Sequence, residues 1–185
     1  MNRKRLSLRY YGDPVLRKKA DPTAASTAEI QELVESLFDC MYREAGVGLA
    51  APQVGVSSRV FVVDVADLSG ERIKRAFVNP VILERSGTTV GEEGCLSIPG
   101  IRADVKRAAR IVVEATDENG TPFRLAAEGL LSRAIQHETD HLDGVLFVDR
   151  LSAIKRKLLE GRLKRVRPPV EGSAAAAATR TTPSL

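Results

Sequence analysis

The chain has 185 residues, 43% hydrophobic and 28% charged, with a net charge of +4 and two cysteines. That length suits one domain with a short tail and is enough to bury a core. No apolar run approaches the roughly 18 residues of a membrane span, the basic N-terminus lacks the apolar stretch of a secretory signal, and two cysteines make no disulfide framework, so a reducing cytoplasm is the expected compartment.

Charge is unevenly spread: +6 over residues 1–20, −9 over 21–149 and +7 over 150–167. A basic segment of that kind suits a polyanionic surface such as RNA. Taken on charge alone, the simpler reading is a solvated basic helix that aids solubility.

Ser26-Thr27-Ala28-Glu29 is a capping box, and Ile30, Leu33, Val34, Leu37, Phe38 and Met41 follow at helical spacing, so a helix is expected over about 27–44 with Cys40 as a packing residue. The glycine-bearing stretch Gly46–Gln53 reads as a loop. Residues 59–65 (RVFVVDV) read as a strand, and residues 76–84 as another, interrupted at Pro80. Two further strands, 110–116 and 121–127, flank Asp117-Glu118-Asn119-Gly120 as a hairpin. A second helix is expected over about 128–143, with Leu130, Leu131, Ala134, Ile135 and Leu142 in helical register and Gly144 beyond its end. Residues 150–167 form a third candidate helix with a narrow stripe of Leu151, Ile154, Leu158, Leu163 and Val166. Gly161 inside it costs about 1 kcal/mol relative to alanine. Residues 168–185, rich in alanine, threonine and proline, read as a disordered low-complexity tail.

The two histidines of the chain both fall in His137-Glu138-Thr139-Asp140-His141. On a helix, positions four apart share a face with Cβ atoms about 6 Å apart, so both imidazoles can grip one cation. Glu138 between them is placed to work on a water at that cation. Catalytic sites of this kind usually hold three protein ligands. A third histidine six residues after His141 would define one large protease class, but Phe147 stands there. A downstream glutamate would define another; Glu160, among basic residues near Gly161, is its one candidate before the tail. Cys95, in Glu93-Gly94-Cys95-Leu96-Ser97, is the upstream candidate, since a thiolate binds zinc and ferrous iron well.

At these residues the sequence resembles the peptide deformylases. The resemblance rests on Gly46-Val47-Gly48-Leu49-Ala50-Ala51-Pro52-Gln53, Glu93-Gly94-Cys95-Leu96-Ser97 and Gln136-His137-Glu138-Thr139-Asp140-His141-Leu142, in that order, and extends from about Asp13 to the basic helix near residue 167. It implies an α+β fold, with a central metal-binding helix surrounded by mostly antiparallel sheets. It implies a catalytic domain over 1–167, with the basic C-terminal helix at about 150–167. It also implies one divalent metal, held by Cys95, His137 and His141, with Fe²⁺ expected and Zn²⁺, Ni²⁺ or Co²⁺ as substitutes. The implied activity is removal of the formyl group from formylmethionine at the start of nascent polypeptides. Water activated by the metal attacks the formyl carbon, Glu138 acts as general base and then acid, and the Gln53 side-chain amide and Leu96 backbone N–H stabilise the oxyanion. Val47, Leu130 and Ala134 are carried over as methionine-pocket residues. Gly48, Glu93 and Gly94 are expected at the substrate, with glycine letting backbone press close. Arg133 is expected at the pocket rim, and Arg102 at the peptide backbone or paired with Glu93. Relatives with such a basic helix imply ribosome association; no DNA or membrane partner is expected.

Overall fold

A computed structural model describes residues 5–24 and 26–167. The order is α1 (Thr27–Arg43), β1 (Gly48–Ala50), β2 (Val60–Ala66), β3 (Arg72–Ser86), β4 (Thr89–Cys95), β5 (Ile98–Arg107), β6 (Arg110–Thr116), β7 (Pro122–Glu128), α2 (Gly129–Leu142) and α3 (Ala153–Leu163). Short 3-10 turns occupy Pro14–Arg17, Ala51–Val54 and Phe147–Arg150. Five strands form one sheet in the order β1-β2-β3-β6-β7, and β4 pairs with β5 in a second. All of these pairings are antiparallel, so the fold is α+β as expected.

Strand β2 shows why the sheet sits where it does. Its run VFVVDV is, apart from Asp64, apolar on both faces because both are covered. Phe61, Val63 and Val65 pack toward α2, with Phe77, Ile111, Val113, Leu131, Ala134 and Ile135. Val60 and Val62 pack toward α1, with Val34, Leu37, Phe38 and Met41. Alternation of side chains along a strand divides the two sets. A third cluster joins Leu16, Cys95, Ile98, Ile101, Val105, Leu146, Phe147, Val148, Leu163 and Val166. Helix α1 starts at the expected capping box, with Ser26 and Glu29 exchanging hydrogen bonds.

Several elements depart from expectation. Gly46–Gln53 is not simply a loop: Gly48–Ala50 pairs with Phe61–Val63 of β2 before the chain turns at Ala51–Val54. Strand β3 runs through Pro80 rather than stopping there. A bulge between Val78 and Val81 leaves the imide without a ladder bond to make. Asn79 in that bulge sits at φ 50°, and its side-chain amide brackets the backbone N–H and C=O of Thr23 at 2.9 and 3.1 Å. Strand β5, IPGIRADVKR, has no counterpart among the expected strands, because Pro99, Gly100 and scattered charges hide its alternation. The basic helix is shorter than 150–167. Residues 147–150 form a 3-10 turn, Ser152 caps α3 through Lys155 N–H, and α3 ends at Leu163. Its expected apolar stripe is also divided: Leu163 and Val166 are buried, whereas Ile154 and Leu158 are 76% and 77% exposed. The low-complexity tail at 168–185 lies outside the described residues.

Candidate metal centre

Helix α2 follows β7 directly and lays its apolar side on the large sheet, so twelve of its fourteen residues are buried. His137 and His141 project from it one turn apart, with ring centroids 4.9 Å apart and ring planes at 73°. Strand β4 ends at Cys95, whose Sγ lies 3.3 Å from His141 Nε2. Ligand atoms of Cys95, His137 and His141 all fall within 4.8 Å of one another, and all three residues are buried. The expected alternative, Glu160, is nowhere near: it lies on α3, half-exposed, and pairs with Lys164 at 2.5 Å.

The donor set fits a cation. His137 Nε2 is buried and has no hydrogen-bond partner, while His141 presents Nε2, not its unpartnered Nδ1, to Cys95. Buried polar atoms without partners are rare and costly. Glu93 accepts from His137 Nδ1 at 2.9 Å, which fixes the tautomer and turns the Nε2 lone pair toward Cys95 and His141. Burial pushes the Cys95 thiol up to about 12, with the Glu138 carboxylate adding to the rise. Burial likewise holds His141 far below the usual imidazole range, with His137 and Arg107 adding to the effect. A divalent cation reverses the penalty for the thiolate and gives the neutral imidazoles a partner.

Glu138 is fully buried, and neither carboxylate oxygen has a hydrogen-bond partner in the protein. Burial raises its pKa well above the ordinary carboxylate range, and the nearby charges of Glu93 and Asp140 raise it further, against Arg107. That is the environment of a proton carrier. Gly48 makes room for it, because a Cβ on Gly48 would sit 2.5 Å from Glu138 Oε1. Gln53 is buried in the 3-10 turn after β1. Its Oε1 accepts from Ala50 N–H at 2.8 Å, and its Nε2 lies 3.2 Å from Ser97 Oγ and 3.5 Å from Cys95 Sγ. Leu96 follows Cys95 directly in the chain and is buried.

Other expected site residues take different places. The Glu93 side chain is enclosed by the protein. It has no exposure and accepts two bonds from Arg107 at 2.8 and 2.9 Å, one from Arg133 at 2.7 Å and one from His137. Burial opposes its ionisation, but Arg107 and His137 hold it well below the ordinary carboxylate range. Arg133 is buried as well, and its guanidinium also donates to Val105 O at 3.0 Å, so it supports Glu93 rather than lining a rim. Arg102 pairs with Glu92 at 3.3 Å. Gly94 lies against the Arg102 side chain. Val47 packs half-buried on the α2 side of the sheet, Ala134 is buried, and Leu130 is 47% exposed at the start of α2.

Arg107 and Asp140 belong to the site without being among the expected residues. Arg107 links Glu93 to Asp140, which it meets at 2.5 Å, and Arg150 closes on Asp140 at 2.5 and 3.1 Å. The one available signal in the sequence is Asp140 between the histidines, a charged residue on a helix face otherwise buried.

Three buried donors converging on one point, with a buried unpartnered carboxylate and a side-chain amide beside them, define a metal-dependent hydrolase. A profile of the family described as Polypeptide deformylase matches residues 6–157. The chain is 52% identical over 143 residues to peptide deformylase 1 of Clostridium perfringens, covering 77% of this chain and 95% of that one. It is 47% identical over 161 residues to a peptide deformylase of Alkalilimnicola ehrlichii, covering 87% and 90%. The crystal structure of peptide deformylase from Thermus thermophilus matches with a TM-score of 0.78 at 45% identity, over 85% of this chain and 95% of that one. This chain belongs to the polypeptide deformylase family.

Proposed function

We propose that the chain removes the formyl group from the N-terminal formylmethionine of newly made polypeptides and releases formate. The observation that carries this reading is the approach of Cys95 Sγ to His141 Nε2 beside the unpartnered Glu138 carboxylate. Cys95, His137 and His141 would hold one divalent cation, which would supply Lewis acidity to lower the pKa of water. Glu138 takes the proton from the attacking water and passes it to the departing α-amine, for which its raised pKa suits it. Gln53 Nε2 and the Leu96 N–H stabilise the oxyanion, each typically worth about 3 kcal/mol. Val47, Leu130 and Ala134 hold the methionine, and the backbone at Gly48 and Gly94 carries the peptide. Glu93 acts behind the site by orienting His137, with Arg102 at the outer edge of β5.

The native ion in this reading is Fe²⁺, with Zn²⁺, Ni²⁺ and Co²⁺ accepted by the same thiolate and imidazoles. Metal analysis of anaerobically purified protein checks it. Formate release from formyl-Met peptides tests the activity. Glu138→Ala should keep the metal and lose turnover by several orders of magnitude; normal turnover in that variant would sink the mechanism. A metallopeptidase using Glu160 requires the opposite metal behaviour, retention in Cys95→Ser and loss in Glu160→Ala.

Residues 1–167 make the catalytic domain in this reading, which acts in the cytoplasm. No described helix is long and apolar enough to cross a membrane. Helix α3 presents Lys155, Arg156, Lys157 and Arg162 with exposed Ile154 and Leu158, a surface suited to ribosomal RNA and protein near emerging chains. Reversing Lys155 and Lys157 to glutamate should weaken salt-dependent ribosome association and spare hydrolysis of small peptides. Unchanged association would exclude this role for α3.

A further inference from the structure

A cleft of about 380 Å³ lies between the end of β3, the β3–β4 turn, the end of β5 and the second half of α2. That volume falls in the range of small-molecule sites. Its floor is buried and consists of Arg107, Gln136, Thr139 and Asp140. Its mouth is exposed and carries Arg85, Thr88, Lys106 and Arg150. The wall that bears Arg85 and Thr88 is held in place at Gly87 between them. A Cβ on Gly87 would lie 3.1 Å from Ala109 Cβ, so the turn sits directly on the connection from β5 to β6.

The charges in the cleft do not cancel. Arg85, Lys106, Arg107 and Arg150 line it against two carboxylates, Asp140 and Asp143, a surplus of two positive charges. Both carboxylates are already engaged. Asp140 accepts from Arg107 at 2.5 Å and from Arg150 at 2.5 and 3.1 Å, and Asp143 accepts at 2.8 Å from Arg59, which does not line the cleft. Glu84 on β3 and Glu92 on β4 pair with Arg124 and Arg102. Among the described residues Arg85 and Lys106 have no ion-pair partner. The floor is satisfied internally: Gln136 exchanges bonds with the Ala108 backbone at 3.1 and 3.0 Å, and Thr139 Oγ1 donates to Ile135 O at 2.7 Å. The donors left over stand at the mouth. They are the Arg85 guanidinium, the Lys106 ammonium, the Thr88 hydroxyl and Arg150 Nη1, since Arg150 spends Nε and Nη2 on Asp140. Cations gathered without a counter-charge repel one another, and an anion seated between them removes that cost. We propose that the cleft binds a small phosphate dianion, inorganic phosphate or a phosphate monoester, between Arg85, Lys106 and Arg150. A tetrahedral dianion matches the surplus and offers each cation an oxygen of its own. A single carboxylate leaves one cation uncompensated, and a nucleic-acid backbone brings only one charge per phosphate.

The proposal goes beyond the deformylase reading and does not depend on it, because binding is read without substrate. The test is a phosphorus NMR titration of inorganic phosphate with the full chain loaded with Zn²⁺. Saturable binding at one site is expected, with a dissociation constant of about 1 mM at low salt, the level that a few exposed charge-assisted contacts support. Added salt should weaken it, since the mouth is open to solvent. Arg85→Glu combined with Lys106→Glu should weaken binding by about tenfold or more, and Arg85→Lys combined with Lys106→Arg should hold it within about threefold. Thermal unfolding of each variant confirms that it is folded; Arg85 and Lys106 belong to none of the three buried clusters. Absence of saturable binding to the unaltered chain overturns the proposal. Unchanged binding in the doubly reversed variant also overturns it and assigns the phosphate to the metal. An RNA oligonucleotide without terminal phosphates that binds through Arg85 and Lys106, and that inorganic phosphate fails to displace, gives the cleft to a nucleic-acid backbone and overturns the proposal as well.

Discussion

A carboxylate with both oxygens buried and no protein partner is expensive to keep, and Glu138 is such a residue. Its position is defined from behind by Gly48, whose missing Cβ is space that Oε1 uses. Gly48→Ala should therefore push the carboxylate out of line while leaving Cys95, His137 and His141 intact. The expected outcome is a fall in kcat of about 10–100-fold, the usual cost of a misplacement near 1 Å, with metal content unchanged. Formate release alongside metal analysis checks both halves. Gly48 is legible in the sequence as a site residue, but its work is not: the expectation there is that it admits substrate, and the structure shows it admitting Glu138. The histidines are legible because spacing along one helix fixes their geometry without any other part of the fold. Arg107 is not, because its partners Glu93 and Asp140 lie 14 residues and 33 residues away and only β5 brings it to them.

Elements hold these residues through contacts that no motif contains. The N-terminal segment runs as a strap across the site's rear: Arg9 N–H donates to Gln53 O at 2.7 Å, and Tyr11 N–H to Ser97 O at 2.9 Å. It thereby ties together the two segments that carry the proposed oxyanion donors. Removing residues 1–12 should lower kcat more than it raises KM, as steady-state rates on a formyl-Met tripeptide would show; a KM effect alone would mean that the strap shapes binding instead. A second brace supports the Val47–Gly48 segment. Asp64 on β2 donates its backbone N–H to Val47 O at 2.9 Å, and its carboxylate accepts from Arg72 at 2.6 and 2.7 Å and from Tyr42 at 2.5 Å. Arg72, assisted by Tyr42, holds Asp64 below the ordinary carboxylate range despite its burial. Burial and then Asp64 push Tyr42 up to about 12. A lowered carboxylate stabilises the fold above its unfolded pKa near 3.9 and loses that contribution as pH falls through its folded value. The raised tyrosine stabilises the fold below its unfolded pKa near 10 and loses that as pH rises toward its folded value. Asp64→Asn should destabilise by about 2 kcal/mol at neutral pH, with the difference from the natural chain shrinking in acid. Tyr42→Phe should flatten the alkaline limb and, because Tyr42 also donates to Asp64, soften the acid limb to a smaller degree. Urea midpoints measured across pH would show both. Strands such as β2 are legible from continuous β-branched runs. The bulge that carries β3 past Pro80 and the polar β5 are not, since each depends on a partner strand rather than on its own composition.

At the scale of the whole molecule, the metal centre lies where three separately packed regions meet. His137 and His141 belong to α2, whose other side packs into the core with Phe61 and Phe77. Cys95 packs in the cluster with Phe147 and Leu163, and Leu96 in the cluster around α1. A cation held by all three ligands therefore joins the small sheet to the helix, and part of its binding free energy becomes folding stability. Free metal at about 100 times its dissociation constant adds about 2.7 kcal/mol, which for a chain of this size corresponds to a rise in Tm of about 5–10 °C. Stripping the protein with a chelator should lower Tm by that amount, and restoring Zn²⁺ or Ni²⁺ should recover it without any substrate present. Cys95→Ser should abolish most of the difference between stripped and loaded protein, because it severs the tie to the small sheet. Glu160→Ala should leave that difference intact, since its carboxylate is engaged with Lys164 and lies outside the Cys95, His137 and His141 group. A shift that survived loss of Cys95 would mean that the cation is held by the helix alone, and the three regions would then be joined by packing without it.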